Sequence, residues 1–213
     1  FQIQAETTQG GVDQTQSSAV SFTPYTFANT DWRDVETITA SKEGHRGVWF
    51  LSNAERGTVV LKGQEHAENQ IMGNVFLRLM GMNVPDAKMI GVGTPEGRQF
   101  TQLGRLKDFD FRRRNPDHYI IMDRVYGVSY SNLNPFHLEL VQKNLLLIGE
   151  LAAYDLLLGN FDRFQLDGTA FNSGNMMFQD GMLVAIDTDC VQDDDREDWT
   201  LQAFKKFIKT PES

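Results

Sequence analysis

Residues 158–189 read LGNFDRFQLDGTAFNSGNMMFQDGMLVAIDTD, and this segment decides the fold. Near its end two short apolar runs, 176–178 and 182–186, flank a Gln-Asp-Gly triplet. An Asp-Gly pair between apolar runs is typical of a β-hairpin, because both turn positions need positive φ. The sequence therefore predicts a hairpin that turns at Asp180 and Gly181.

The predicted hairpin brings two polar residues to its open end. The turn sets Gln179 opposite Met182. Asn175 then lies opposite Ile186, one residue before Asp187. A carboxylate and an amide oxygen are ligands that Mg²⁺ uses together with substrate phosphates. Strict strand alternation would direct the two side chains to opposite faces, so the site requires the strand ends to depart from ideal geometry.

The order of Asp162, Asn175, hairpin and Asp187 resembles the catalytic core of the protein-kinase superfamily. In that core one Asp orients the attacking hydroxyl, and an Asn and a second Asp hold metal. The resemblance implies these roles for Asp162, for Asn175 and for Asp187. Asn175 follows Asp162 by thirteen positions, against about five in the usual motif. The longer spacing leaves Asn172 as an alternative metal ligand.

Two stretches, GNFDR at 159–163 and GHRGVWF at 44–50, narrow the resemblance to the actin-fragmin kinase family among the atypical kinases. The resemblance implies an α+β, bilobal protein-kinase-like fold. We expect a small antiparallel-sheet N-lobe and a mainly helical C-lobe, truncated because only twenty-six residues follow Asp187. The predicted divisions are an N-terminal arm at 1–30, the N-lobe at 31–127 and the C-lobe at 128–213.

A strand, a glycine turn and a second strand are predicted around residues 35–51. Kinases cover ATP phosphates with such a turn, because glycine lets backbone N–H groups approach closely. Two glycines in a hairpin often form only a turn, but the resemblance favours phosphate binding. The residues concerned are Gly44, His45, Arg46 and Gly47.

An amphipathic helix is predicted over residues 64–80, after a strand that closes at Lys62. Glu68 lies one turn before Met72 and hence on the predicted buried stripe, where an unpaired carboxylate is unfavourable. Lys62 is its predicted partner, and the resemblance implies that this pair positions the ATP phosphates. Glu65 is the alternative if the helix is rotated, and a structural surface ion pair is the simpler explanation.

Further along, a strand is predicted over 84–92, a loop-rich stretch over 93–118 and a buried strand over 119–122. The resemblance implies that the following turn is the hinge that binds adenine, through Met122, Asp123, Arg124 and Val125.

A single apolar helix is predicted over residues 136–158, and Gly159 ends it. It leads into the loop of Asp162, the expected base or hydroxyl-orienting residue. Arg163 is expected to keep Asp162 ionised or to bind phosphate, whereas Asp155 is expected to be structural.

The composition excludes several other classes. A net charge of −9 argues against nucleic acid as a partner. The single cysteine, Cys190, indicates a reducing compartment, and no apolar run is long enough to cross a membrane. We therefore expect a cytoplasmic protein. Since residue 1 is Phe, the chain is expected to be a fragment.

Together with these patterns, the resemblance implies an ATP-dependent and Mg²⁺-dependent protein serine/threonine kinase. The resemblance implies Thr of actin as the acceptor, in a complex with a fragmin-type actin-severing protein. One alternative is a pseudokinase or actin-binding module without turnover. Another is a lipid or small-molecule kinase, since such enzymes share the Gly-Asn-x-Asp-Arg form.

Overall fold

The computed structural model describes residues 26, 28, 31–41, 47–64, 66–107, 111, 116–160, 162–164, 172–188 and 190. Several stretches considered above lie outside the described residues. They are the predicted N-terminal arm apart from residues 26 and 28, the alternative Glu65, and Gly44, His45 and Arg46 of the predicted phosphate turn.

A five-stranded antiparallel sheet forms the first half of the fold, with the spatial order β1-β2-β3-β5-β4. Two helices pack on this sheet, α1 on one face and α2 on the other. The strands are β1 (Thr37–Ala40), β2 (Val48–Asn53), β3 (Gly57–Gln64), β4 (Ala87–Gly91) and β5 (His118–Asp123), and the helices are α1 (Ala67–Leu79) and α2 (Pro95–Leu106).

Strand alternation gives the first sheet two buried faces. Leu61 of β3 belongs to the core that α2 and the 3-10 turn Trp32–Asp34 cover. Val60 packs with Ala67 of α1 on the opposite face. Lys62 therefore leaves β3 on the same face as Val60, toward α1.

Helix α2 corrects the prediction of a loop-rich stretch over 93–118. The Thr94 side chain caps the helix by accepting a hydrogen bond from the Gly97 N–H at 3.0 Å, and Pro95 occupies the first turn. Phe100 packs against Trp32 with ring centroids 4.0 Å apart. The Thr-Pro-Glu start was a readable helix signal, because Thr caps and Pro at the first position both favour initiation.

A three-stranded antiparallel sheet and two helices form the second half. The strands are β6 (Val128–Ser129), β7 (Met176–Gln179) and β8 (Met182–Ala185), the helices are α3 (Leu138–Lys143) and α4 (Leu145–Leu158), and the 3-10 turns are Tyr130–Asn132, Pro135–His137 and Ser173–Asn175. The predicted hairpin is confirmed, with Gln179 opposite Met182. Both turn residues have positive φ, 53° at Asp180 and 80° at Gly181.

The single helix predicted over 136–158 is wrong, because Asn144 separates α3 from α4. The buried Asn144 side chain donates to the Leu140 carbonyl at 2.9 Å and to the Gly181 carbonyl at 3.0 Å. Its oxygen accepts from the Leu183 N–H at 3.0 Å. An amide that bonds to other backbone groups competes with the helix, and here it ties the break to the hairpin.

The architecture is α+β, with a small antiparallel sheet and a helical second half. Helix α1 contributes to the cores of both halves, since Ala67 packs under the first sheet and Leu77 packs with α4 and β7. Among the described residues no helix combines the length and apolarity needed to cross a bilayer. The division at residues 127 and 128 stays a prediction.

Candidate active site

Asp162 and Asn175 contact each other directly. The Asn175 amide nitrogen donates to Asp162 Oδ2 at 2.8 Å, and the Asn172 amide nitrogen donates to the same oxygen at 3.2 Å. Asn175 is buried at the end of a 3-10 turn, whereas Asn172 is exposed. Since its nitrogen is engaged, Asn175 has its amide oxygen left for a cation.

Asp187 leaves the strand geometry of the hairpin, as the predicted site requires. Strand β8 ends at Ala185, and Asp187 has a φ of 54°. A non-glycine residue in this region is uncommon, although Asp tolerates it better than most. The change of backbone direction turns the Asp187 carboxylate toward the first sheet, where it accepts a hydrogen bond from Lys62 Nζ.

The predicted Lys62–Glu68 pair is not formed. Glu68 is exposed, and its carboxylate lies 3.8 Å from His66 Nδ1. Lys62 Nζ instead donates to Gln70 Oε1 at 3.2 Å, and Gln70 is almost completely buried. The prediction failed because it placed Glu68 on the buried stripe of α1, while the helix is rotated so that Gln70 faces the lysine.

Arg163 points into the protein rather than toward Asp162 or the surface. Its Nη1 donates to both carboxylate oxygens of Asp155, at 2.5 and 2.6 Å. Its Nη2 donates to the Ile186 carbonyl and to Thr188 Oγ1, each at 2.8 Å. Its Nε donates to the Asn175 carbonyl at 3.2 Å. The expected role beside Asp162 is therefore replaced by one that joins α4, the 3-10 turn and both neighbours of Asp187.

Asp155, expected to be structural, is the buried counter-ion of Arg163. Burial raises the pKa of the Asp155 carboxyl above its ordinary value, while the charge and hydrogen bonds of Arg163 act in the opposite direction. The Asn160 side chain also donates to Asp155, at 3.0 Å. All these contacts hold the loop that carries Asp162 against the C-terminal end of α4.

The predicted hinge residues connect the two sheets. Met122 is buried at the end of β5, and the Asp123 N–H donates to the Asp86 carbonyl at 2.9 Å. The Arg124 guanidinium lies 5.1 Å from the ring centroids of Phe50 and of Tyr126, a cation–π arrangement.

A cavity of about 390 Å³ borders the same connection. Val125 contributes to its wall together with residues of the β7–β8 hairpin, and Lys62, Asp162 and Asp187 are not among its lining residues. The cavity is therefore separate from the cluster around Asp187.

Gly47 is the one member of the predicted phosphate turn among the described residues. Its φ of 116° is strained for any residue with a side chain. Its carbonyl accepts from the Gly63 N–H at 3.1 Å, directly after Lys62 on β3. The end of the turn is thereby held beside the lysine.

The donor chemistry around Asp187 fits a hard cation. Asn175 and Asp187 offer an amide oxygen and a carboxylate, whereas within the described part of the chain no three His, Cys, Asp or Glu side chains cluster as a metal site. Two protein oxygens are few for a closed metal cage. They match Mg²⁺, which usually keeps waters and binds substrate phosphates.

Sequence reasoning missed three residues that shape the site: Gln70, Asn144 and Gly73. Gln70 has a neutral side chain and therefore gives no charge signal, although its place on α1 is predictable from the sequence. A Cβ built on Gly73 would lie 2.6 Å from the Thr188 carbonyl oxygen. Gly73 thus lets α1 pack directly on the segment that contains Asp187.

Comparison with family models finds a match over most of the chain. A family model described as "Actin-fragmin kinase, catalytic" matches residues 14–201. The matched range includes Lys62, Asp162 and Asp187. No curated protein sequence matches the chain.

Proposed function

Because the chain belongs to the family of actin-fragmin kinase catalytic domains, which are atypical protein kinases, we propose that it transfers the γ-phosphate of ATP to a Ser or Thr hydroxyl of a protein. The family name supports Thr of actin as the acceptor, in a complex with a fragmin-type severing protein, and hence a cytoplasmic location. One observation carries the proposal. Lys62 of the first sheet contacts Asp187. Arg163 donates to the carbonyls of Asn175 and of Ile186, and it thereby holds the residue next to Asp187 beside Asn175.

In this proposal Lys62 anchors the α- and β-phosphates, since its ammonium lies on the face of β3 that is turned toward α1. Asn175 and Asp187 would hold Mg²⁺ through oxygen atoms, and the bound ion supplies charge neutralisation on the phosphates. Asp162 orients the acceptor hydroxyl, because its Oδ2 is fixed by Asn175 and Asn172. Catalysis then rests on positioning and electrostatics rather than on a covalent intermediate.

Transfer of radiolabelled phosphate tests the proposal. The full chain is incubated with Mg²⁺-ATP and with actin, actin–fragmin, phosphoinositide vesicles or small hydroxyl compounds in separate reactions. We expect labelled threonine on actin, with the highest rate for the complex. Asp162→Asn should lower turnover by at least about a hundredfold while Mg²⁺-ATP affinity stays close to wild type. Turnover of that variant near the wild-type rate would remove Asp162 from the mechanism, and label on lipid alone would favour the lipid-kinase alternative.

A second candidate is a nucleotide-binding or actin-binding module without turnover. The observation that favours it is the amide of Gln70 where the proposed kinase site was expected to present a carboxylate to Lys62. Thermal unfolding with Mg²⁺-ATP narrows the alternatives: at a hundredfold excess over Kd, a ligand adds about 2.7 kcal/mol of stability. Stabilisation without transfer to any acceptor would support a binding module, and an unchanged Tm would refute nucleotide binding.

A further inference from the structure

Lys62 has two hydrogen-bond acceptors in the described part of the protein, and they differ in charge. One is the carboxylate of Asp187, and the other is the amide oxygen of Gln70 at 3.2 Å. Gln70 is 1% exposed, so its side chain is fixed by its surroundings. Helix α1 thus presents a neutral, desolvated acceptor to the lysine.

Helix α1 is itself held against the segment of Asp187. Gly73 allows the backbone of Thr188 to pack directly on the helix. One turn before Gly73, the Asn69 carbonyl accepts from the Cys190 N–H at 3.1 Å. Gln70 lies between these two contacts, and its distance to Lys62 is therefore fixed together with the position of Asp187.

The neutrality of Gln70 has an electrostatic consequence. A carboxylate at this position would pair with Lys62 whether or not Asp187 were engaged elsewhere. With an amide, Asp187 is the single carboxylate bonded to Lys62 among the described residues. If Asp187 turns to a cation, the lysine keeps its full positive charge and is still oriented by Gln70.

We propose that Gln70 is the positioning residue of Lys62. Because Gln70 is neutral, it leaves the positive charge of the Lys62 ammonium uncompensated while directing that ammonium toward the phosphates of the nucleotide. The inference rests on the proposed function, since it concerns the same nucleotide site. It assigns to a neutral side chain the task that the sequence pattern assigns to Glu68.

The experiment measures Mg²⁺-ATP affinity by calorimetry in the full chain. Gln70→Met keeps the length and removes the acceptor, Gln70→Glu keeps an acceptor, and Leu79→Ala on the exposed end of α1 is the control. Losing a hydrogen bond to a charged group should weaken binding by about tenfold or more in Gln70→Met. Gln70→Glu keeps an acceptor but compensates the ammonium, so it should bind about threefold more weakly than wild type, a smaller loss than in Gln70→Met.

A Lys62→Met background separates positioning from packing. If Gln70 acts through the lysine, adding Gln70→Met to Lys62→Met should not weaken binding further. Wild-type affinity in Gln70→Met, or an equal loss in both backgrounds, would overturn the inference. Should Gln70→Met unfold, Gln70→Asn, which withdraws the amide by one methylene, is measured in the same way. If the wild-type chain does not bind Mg²⁺-ATP, the proposed function is overturned as well. If it binds and substitutions at residue 70 leave the affinity unchanged, only the role of Gln70 is overturned.

Discussion

Two ion pairs meet at the segment 186–188, and they differ in burial. The Arg163–Asp155 side chains are 0% and 1% exposed, whereas those of Lys62 and Asp187 are 18% and 36% exposed. The buried arginine has every nitrogen engaged, and it bonds to the residues on both sides of Asp187. The exposed pair has atoms that a ligand can reach.

The difference in burial indicates that the two neighbouring ion pairs have different roles. The buried pair holds the backbone that presents Asp187 in its uncommon positive-φ conformation. The partly exposed pair is held by few groups, so its members can exchange one partner for another. If the proposed function holds, the buried pair supplies rigidity and the partly exposed pair contacts the ligand, which is how preorganised sites are generally supported.

Breaking the buried pair should have the largest effect on stability. Arg163→Met leaves Asp155 buried without its counter-ion, so we expect a loss of about 3–5 kcal/mol of unfolding free energy. Urea unfolding monitored by circular dichroism measures it. The double variant Asp155→Leu/Arg163→Met should recover part of the loss, because two apolar side chains can replace a buried pair. A single variant within about 1 kcal/mol of wild type would contradict this account.

A substitution at Gly73, through which α1 packs on the segment 186–188, should have the next largest effect on stability. Gly73→Ala adds a Cβ 2.6 Å from the Thr188 carbonyl oxygen, so we expect about 1–3 kcal/mol of destabilisation. Gly149→Ala in α4 is the matched control, since nothing lies within 4 Å of its added Cβ. Alanine exceeds glycine in helix propensity by about 1 kcal/mol, so the control should be slightly stabilised. Thermal unfolding shows whether each variant is stabilised or destabilised, and stabilisation of both variants would argue against the tight contact of Gly73 with Thr188.

The partly exposed pair should matter less for stability than the buried pair. Lys62→Met should lower the unfolding free energy by about 1–2 kcal/mol, because solvent screens the pair with Asp187 but the buried Gln70 Oε1 loses its donor. The same variant should lose most of its affinity for Mg²⁺-ATP if the proposed function holds. Calorimetry and urea unfolding on one preparation give both numbers. A stability loss as large as that of Arg163→Met would erase the contrast between the pairs.

A third, surface pair should have the smallest effect. The hydrogen bonds and charge of Arg33 lower the pKa of Asp31 to about 2. A carboxyl with a lowered pKa contributes stability above its unfolded value, about 3.9, and loses it as the pH falls toward 2. Because both side chains are exposed, the contribution should be difficult to detect in unfolding curves. An NMR titration should give a midpoint near 2 for Asp31 that rises to the ordinary range in Arg33→Ala; an unchanged midpoint would contradict the pairing.

Local signals accounted for much of the fold. Asp180 and Gly181 predicted the hairpin because their turn conformation is rare for other residues. Apolar periodicity predicted α1, and short apolar or β-branched runs predicted strands near β2, β3 and β5. The failures have local causes as well. Asn144 is not distinguished locally from an ordinary helix residue, and the prediction of a loop over 93–118 leaves out the capping signal of Thr94.

The candidate site was less predictable, because it depends on side-chain directions set at a distance. Glu68 and Gln70 are two residues apart, about 200° around a helix of 3.6 residues per turn. Only a rotation of about half a turn would bring Glu68 instead of Gln70 to Lys62, and the contact of Gly73 with Thr188 holds α1 in the observed orientation. Arg163 posed the same problem, since a charged residue in a loop is usually solvated.

Local sequence patterns were enough to predict the hairpin, helix α1, most of the strands, and the short list of polar residues in otherwise apolar segments. These follow from interactions between residues close in the chain. Only the tertiary structure decided that Gln70 faces Lys62 and that Arg163 turns inward to Asp155. Both outcomes follow from desolvation: a buried charge or amide is unfavourable without a partner, and which partner is within reach of Gln70 or Arg163 depends on how the two halves pack.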